Sequence, residues 1–317
     1  MAADDYNADT LVLTQLRQYQ FQMGRNSQMC KSRMPFALVA FVVLGVGLGI
    51  QGAGLGGEPQ TMLERFIAAA REHQKCVPPS HDLSKLSFDA AYCVQQVLAE
   101  RLTAERGAVA GYKVAYASRA AQEQFGMDEP ARGPLYAIQR LPSGSVVSQS
   151  DFNELMLEVE IAFTIGKRID RSIDNVEGLK PFVGSVHVAF DAGDFPYDAQ
   201  VASPTPADMI AVGTGSHRFM VGPACNPETT EVDDVVLTLY RNGQAIRTSS
   251  TKEVLGTPWN SLLWCVNHLH RYGLTLEPGM IVLTGTAAPA YRVTGEEIQG
   301  RYRGEAQGLG AVELEIR

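Results

Sequence analysis

Residues 155–165 read Leu-Met-Leu-Glu-Val-Glu-Ile-Ala-Phe-Thr-Ile, with apolar side chains at every odd position. A period of two is typical of a β-strand, whose successive side chains point to opposite faces. The odd residues therefore predict a face in the core, and Glu158 and Glu160 share the opposite face. Their Cα atoms would lie about 6.5–7 Å apart, close enough for the two carboxylates to share one hard cation, Mg²⁺ or Mn²⁺.

A solvated strand face would show the same spacing, so the pattern alone does not establish a metal site. Residues 312–316, Val-Glu-Leu-Glu-Ile, repeat it, and we interpret that face as solvated because three arginines can neutralise its acids: Arg301, Arg303 and Arg317. No Lys or Arg is interleaved around Glu158. The other even positions of its strand suit a pocket better than bulk water: Met156, Ala162 and Thr164.

Two other segments carry candidate functional side chains. Lys113 shares a predicted strand face with Ala115 and Ala117, whose small side chains leave room for a ligand but little room for water. Desolvation lowers the pKa of a lysine towards values that are useful in proton transfer. Asp191 follows an apolar run, although Asp-Ala-Gly-Asp at residues 191–194 is also an ordinary turn sequence.

Helical patterns precede the strands and interrupt them once. Apolar residues recur at helical spacing in residues 61–73 and 87–106, and a third helix is predicted from Pro258 to Tyr272, after Thr257 as N-cap. Strands are predicted at residues 112–116, 155–165, 184–190, 235–240, 281–284 and 311–316. The fold class is therefore α+β, with a helical N-terminal region at residues 58–108 and a β-rich domain at residues 109–317 that carries the candidate functional side chains.

Residues 1–57 are predicted to be a leader. Residues 34–57 carry no charge and follow three basic residues: Arg25, Lys31 and Arg33. This is a signal-peptide pattern, but the run is also long enough for an uncleaved membrane anchor, so we expect a protein that is exported or membrane-anchored. Glycines in this run fit G-x-G-x-x-G, but no amphipathic helix or acid-terminated second strand follows, and we reject a nicotinamide cofactor.

Composition excludes some classes of function. The net charge is −8, from 35 acidic residues and 27 Lys plus Arg, which gives no electrostatic reason to bind nucleic acid. None of the five cysteines forms a C-x-x-C pair, which argues against a structural zinc site. In an exported protein Cys76 and Cys93 would either form a disulfide or remain free thiols.

The three candidate segments, in this order, resemble the 2-keto-4-pentenoate hydratase branch of the fumarylacetoacetate hydrolase superfamily, which includes the 4-oxalocrotonate decarboxylases. Gly111–Lys113 resembles the strand with the catalytic lysine, and Glu158–Phe163 matches the metal-binding E-x-E-I-A-F strand. Ala189–Asp194 resembles A-L-E-x-x-D, with Asp191 in place of a third glutamate. The resemblance extends from about Asp89 to Arg317 and includes four more blocks: 126–135, 254–258, 263–267 and 281–285.

The resemblance implies a fumarylacetoacetate hydrolase-like mixed β-sandwich roll. It further implies that Glu158, Glu160 and Asp191 bind Mg²⁺ or Mn²⁺, which chelates the carboxylate and the C2 oxygen of a small 2-oxo or 2-hydroxydienoic acid. Lys113 would be the catalytic residue that transfers a proton. The implied reaction is hydration of 2-hydroxypenta-2,4-dienoate, and we expect a homo-oligomer.

Three alternatives to hydration remain open. Decarboxylation of an oxalocrotonate-like diacid needs the same chelation and a pocket for a second carboxylate. Hydrolysis of a C–C bond needs a base to activate water, and no histidine lies in a matched block at the expected place. A non-catalytic exported binding protein is suggested by two departures from the family pattern: Asp191 is one methylene shorter than Glu, and Val212-Gly213 replaces Asp-Asn.

Overall fold

The computed structural model describes residues 62–82, 86–286 and 288–317. The predicted leader at residues 1–57 lies outside these ranges, so export or membrane anchoring stays a prediction. None of the helices that the structure describes has the length and hydropathy of a bilayer-spanning segment.

The helices of the described residues are short, apart from three. Their bounds are α1 (Met62–Glu72), α2 (Pro79–Asp82), α3 (Phe88–Arg106), α4 (Arg119–Phe125), α5 (Val176–Leu179), α6 (Pro206–Ala211) and α7 (Pro258–Arg271). The three long helices, α1, α3 and α7, were predicted within one or two residues. At the start of α7 the Thr257 hydroxyl accepts a hydrogen bond from the Trp259 amide, as predicted for its N-cap.

The strands carry most of the remaining regular structure. Their bounds are β1 (Val109–Ala115), β2 (Ala131–Tyr136), β3 (Ser145–Val147), β4 (Leu155–Ile165), β5 (Val183–Asp194), β6 (Arg218–Val221), β7 (Val236–Arg241), β8 (Gln244–Ser250), β9 (Ile281–Leu283), β10 (Tyr291–Val293), β11 (Gly300–Ala306) and β12 (Gly310–Ile316). The mixed strands and helices confirm the α+β fold class.

The strands form two sheets. The larger sheet has the order β2-β1-β9-β4-β5-β6, with β10 also paired to β4, and the smaller has the order β3-β12-β11-β7-β8. The odd residues of β4 lie in the main hydrophobic core, as their alternation predicted, together with side chains of α7 and of the smaller sheet. The Phe163 and Trp259 rings, for example, lie 4.5 Å apart between β4 and α7.

The described residues divide into two compact units. One comprises the described residues up to Arg101 together with Asp198–Ala211, and it contains α1, α2, most of α3 and α6. The other comprises Leu102–Tyr197 and Val212–Arg317, and it contains both sheets. All of the candidate site residues lie in this second unit.

Two features differ from alternatives that the sequence left open. Residues 191–194 are not a turn, because β5 continues through Asp194 and pairs with β4 over its whole length. Cys76 and Cys93 are half-buried and no disulfide joins them to each other, so the disulfide alternative is wrong.

Candidate active site

The register of β4 and β5 brings the three candidate ligands together. Glu158 lies directly opposite Asp191 across this antiparallel pair, and Glu160 lies two residues further along β4 on the same face. One carboxylate oxygen from each of the three lies within 4.8 Å of the others. Such a spacing is suited to a shared cation, and the sequence had predicted this convergence.

These carboxylates are withdrawn from solvent. Glu160 and Asp191 have no exposed surface, and Glu158 is half-buried. Glu160 Oε1 and Asp191 Oδ1 have no hydrogen-bond partner among the described residues. Buried carboxylate oxygens without a partner are costly, and a hard cation with oxygen ligands would satisfy them. The donor set therefore fits a divalent metal ion.

Lys113 is the positive charge next to this cluster. Its side chain is 3% exposed and forms an ion pair with Asp191 Oδ2, which leaves Asp191 Oδ1 for another partner. Lys113 reaches the cluster from β1, which is separated from β4 by the short β9. Sequence reasoning chose Lys113 correctly as a neighbour of the acids, but it did not identify the direct contact.

The pKa values reflect this crowding of charges. Burial raises the pKa of Glu158 to about 7, with Lys113 opposing the shift and Asp191 adding to it. Burial also raises the pKa of Glu160 and Asp191, and for Glu160 the two neighbouring carboxylates add to the increase. Each of the three carboxylates is therefore harder to ionise than in water while no metal ion is bound.

The predicted direction of the Lys113 pKa shift is wrong. Burial lowers the pKa of this amine, as the sequence suggested, but the charges of Asp191 and Glu158 outweigh burial and raise it overall. The amine is therefore protonated in the absence of a metal ion, and it balances part of the carboxylate charge.

Gly285 is a site residue to which sequence reasoning gave no role. Its amide donates a hydrogen bond to Glu160 Oε2 at 2.6 Å and so orients that carboxylate. Its φ is +83°, and a Cβ atom there would lie 2.5 Å from Ala117 Cβ. Only glycine fits this backbone position without strain. The Thr-Gly pair at the end of the predicted strand was the available signal.

The connection that contains Gly285 borders the acids on one side. β9 pairs with Ala162–Thr164 of β4, and β10 pairs with Leu155–Leu157. The segment of β4 between them, which carries both glutamates, is flanked there by the connection between β9 and β10. On its other side β4 pairs with β5 throughout.

His187 shares the face of Asp191 but does not join the carboxylate cluster. Its Nδ1 lies 3.0 Å from the Gly222 carbonyl and therefore carries the proton, while Nε2 accepts hydrogen bonds from Thr164 and Ser185. Four strand residues separate it from Asp191, about 13 Å. Because β5 is continuous over these residues, the separation estimated from the sequence stands.

The second E-x-E strand is solvated, as predicted. Glu313 is exposed, and Glu315 is half-buried at the surface. Arg303 pairs with Glu313, and both Arg301 and Arg317 pair with Glu315.

Comparison with known proteins decides the family. The family model described as fumarylacetoacetate (FAA) hydrolase C-terminal matches residues 109–316, more than half of the chain. The chain belongs to the fumarylacetoacetate hydrolase superfamily. The matched residues include all four predicted site residues and Gly285.

Curated relatives within this superfamily are named as enzymes. The chain is 24% identical over 250 residues to the 2-keto-4-pentenoate hydratase of Paraburkholderia xenovorans strain LB400, covering 78% of this chain and 91% of the relative. It is 28% identical over 204 residues to a 4-oxalocrotonate decarboxylase of Pseudomonas sp, covering 64% and 77%. Both names support an enzymatic role and the predicted branch of the superfamily.

A solved structure confirms the predicted fold. The 4-oxalocrotonate decarboxylase from Pseudomonas putida G7, complexed with magnesium and adipate, has a TM-score of 0.75 to this chain at 22% identity. The match covers 80% of this chain and 95% of that one. At this identity the similarity establishes the shared fold, which is the predicted fumarylacetoacetate hydrolase-like fold.

Proposed function

We propose that the protein is a divalent-metal-dependent hydratase of 2-hydroxypenta-2,4-dienoate or a similar small 2-oxo acid. The observation that carries this proposal is the cluster of Glu158, Glu160 and Asp191 in contact with the buried amine of Lys113. The relative named 2-keto-4-pentenoate hydratase supports the same reaction.

The proposed metal ligands are Glu158, Glu160 and Asp191. Three carboxylates and no sulfur or nitrogen ligand favour Mg²⁺ or Mn²⁺ over softer metals. When bound, such an ion supplies Lewis-acid stabilisation of the negative charge that develops on the substrate oxygens. The shorter side chain of Asp191 is compatible with this role, since the register places it directly opposite Glu158.

Lys113 is proposed to hold and transfer a proton. In the proposed reaction the dienol loses its C2 hydroxyl proton and gains a proton at C5, and water then adds OH at C4 and H at C3. Lys113 Nζ is buried and protonated beside the carboxylates, so it provides a proton donor from which water is largely excluded. It would release that proton more readily once the carboxylate charge is neutralised.

The test is the decay of 2-hydroxypenta-2,4-dienoate absorbance with the purified protein, before and after chelator treatment. We expect turnover that the chelator abolishes and that added Mg²⁺ or Mn²⁺ restores. A protein that binds neither ion and shows no turnover would instead be the non-catalytic binding relative. Turnover that is unaffected by complete metal removal would refute the metal-dependent mechanism.

Decarboxylation is the second candidate, because the relative named 4-oxalocrotonate decarboxylase is 28% identical. It requires the same metal chelation and releases carbon dioxide from a diacid. Carbon dioxide release from 4-oxalocrotonate, measured in parallel with the dienoate assay, separates the two reactions. No release from the diacid would remove this candidate.

A further inference from the structure

Arg247 is a basic residue on the inward face of the smaller sheet. It lies on β8, an edge strand of that sheet. Across the β7–β8 pair Arg247 is directly opposite Leu239, and Ser249 is directly opposite Leu237. Residues that are directly opposed in an antiparallel pair share a face of the sheet, and both leucines belong to the main hydrophobic core. The Arg247 and Ser249 side chains therefore face the interior, and both are half-buried.

The Arg247 guanidinium has few partners. None of the ion pairs in the part of the chain that the structure describes includes it. Its Nη2 donates a long hydrogen bond of 3.5 Å to the Ala290 carbonyl, and its Cζ lies 6.0 Å from the centre of the Tyr291 ring. Its Nε is buried without a hydrogen-bond partner among the described residues. A buried donor of this kind is costly, and an anionic ligand would satisfy it.

A cavity joins Arg247 to the carboxylate cluster. It is lined by Arg247 and Ser249 of the smaller sheet, by Glu158 of β4, and by Thr286 of the connection between β9 and β10. Its other walls are apolar residues of β4, β7 and the same connection. Apolar walls with a few polar groups are typical of small-molecule sites. The cavity thus places a guanidinium and a hydroxyl beside one of the proposed metal ligands.

The cavity is narrow while Arg247 occupies its present position. It encloses about 240 Å³, part of which is open to solvent, and its free interior of about 10 Å³ holds about one water molecule. A carboxylate needs more room, which the Arg247 side chain can provide by moving. The movement would break the hydrogen bond to Ala290, which is weak because 3.5 Å exceeds the usual N–H···O range. Charge-assisted hydrogen bonds to the carboxylate would replace it.

We propose that Arg247 determines substrate specificity by binding the distal carboxylate of a dicarboxylic 2-oxo acid. This specificity rests on the proposed function, because the 2-oxo acid end of the ligand is the end that the metal at Glu158 would chelate. The planar guanidinium matches the two oxygens of a carboxylate, and the Ser249 hydroxyl offers a further donor. A ligand with an apolar end would leave the guanidinium desolvated and unpaired. The cavity therefore favours a diacid over a monoacid of the same length.

The experiment measures, by calorimetry, the binding of two matched series of acids to the Mg²⁺-loaded protein. The diacids are 2-oxoglutarate, 2-oxoadipate and 2-oxopimelate, and the monoacids are 2-oxopentanoate, 2-oxohexanoate and 2-oxoheptanoate. In wild type we expect the diacid of the best length to bind on the order of 10-fold more tightly than its monoacid, as for hydrogen bonds to a charged group. Arg247→Met should remove this preference and leave monoacid and metal affinity unchanged. Arg247→Lys should keep part of the preference, because it retains the charge but not the planar donors.

Arg241→Met is the matched control. Arg241 ends β7 on the same hairpin, but its guanidinium donates to the Glu297 and Gln299 carbonyls. Its loss should lower Tm and leave the preference for diacids intact.

Three results would overturn the role of Arg247 alone: no diacid preference in wild type, an equal preference in Arg247→Met, or aggregation of Arg247→Met at unchanged affinities. The last would mean that the inward charge only protects an edge strand from pairing with another chain. Wild type that prefers diacids through Arg247 but turns over neither the dienoate nor a diacid would reject the proposed function and keep this site. No metal-dependent binding of any of these acids would overturn both.

Discussion

Two strands of this chain carry the same Glu-x-Glu alternation, and the structure gives them opposite environments. On β4 the glutamates face a buried aspartate and a lysine, and the oxygens of Glu160 and Asp191 that lack a partner among the described residues fit a metal ion. On β12 the glutamates lie at the surface and pair with arginines. The difference shows that the motif itself does not specify its role. The position of the cations and the chemistry of the other residues on the same face decide it.

The largest expected difference between the strands is in catalysis. Glu158→Gln removes one ligand charge, so we expect the metal-dependent rate to fall on the order of 1,000-fold, equivalent to about 4 kcal/mol of lost stabilisation. Glu315→Gln makes the same chemical change on β12 and should leave the rate within about twofold, because exposed ion pairs contribute about 0–1 kcal/mol. Steady-state kinetics on both variants measure the contrast. Similar rates for the two would mean that β4 is no more functional than β12.

Removing the basic side chain that pairs with each cluster of acids should also affect kcat differently. Lys113→Met removes the amine that contacts Asp191, and we expect kcat to fall about 100-fold while Mg²⁺ or Mn²⁺ still binds. Arg303→Met removes the partner of Glu313 and should leave kcat unchanged. Kinetics and metal titration by calorimetry are the measurements. Loss of metal binding in Lys113→Met would show that the lysine is needed for the cluster to form rather than for proton transfer.

A glycine near each strand allows a backbone comparison. Gly285→Ala places a Cβ against Ala117 in a left-handed backbone, so we expect a destabilisation of about 1–3 kcal/mol and metal affinity lowered about tenfold as the amide shifts from Glu160. Gly308, between β11 and β12, has φ +85° and open space around its Cβ position. Gly308→Ala should cost only about 1 kcal/mol and leave metal affinity unchanged. Equal metal affinity in both variants would contradict the role of Gly285.

The smallest expected effect is a pH dependence of the metal-free protein. The folded-state pKa of Glu158, about 7, lies above its ordinary value of 4.5, so its contribution to stability is complete below pH 4.5 and is lost as pH rises through about 7. The hydrogen bond from Arg317 lowers the pKa of Glu315, so that glutamate contributes in the opposite direction. In chelator we expect Tm to fall between pH 5 and pH 8, at about 2–4 °C for each kcal/mol lost.

Glu158→Gln is the control for this pH effect. It removes the titrating carboxylate, so the decrease of Tm with pH should become smaller. Saturating Mg²⁺ should have a similar effect in wild type, because metal binding competes with protons for the carboxylates. A Tm that rises between pH 5 and pH 8 in chelator would contradict the assigned direction of the Glu158 shift.

Much of this fold was predictable because its long elements have strong local signals. The alternation in β4 predicted its bounds and its core face, and Thr257 and Pro258 marked the start of α7. The apolar run before Asp191 indicated a strand, but its turn-like sequence concealed that β5 continues to Asp194. Tertiary pairing with β4 determines that continuation, and local sequence does not report it.

The candidate site was predictable in its members but not in its electrostatics. The period-two alternation of apolar residues and the family resemblance together pointed to four residues: Glu158, Glu160, Asp191 and Lys113. The direction of the Lys113 pKa shift depends on the distance between its amine and the Asp191 carboxylate, which only the folded chain reveals. Gly285 was missed for a similar reason, since its role comes from backbone conformation rather than from residue type.

On one side β4 pairs with two separate strands, β9 and β10, and the gap between them has a consequence for how related sequences can diverge. Because β5 fixes the register of Glu158 with Asp191, and Gly285 holds Glu160, the residues between Gly285 and β10 can lengthen or shorten without changing that register. New side chains introduced there would border the carboxylate cluster directly. Evolution or protein engineering can thus exchange this border as a separate module while the proposed metal ligands keep their positions.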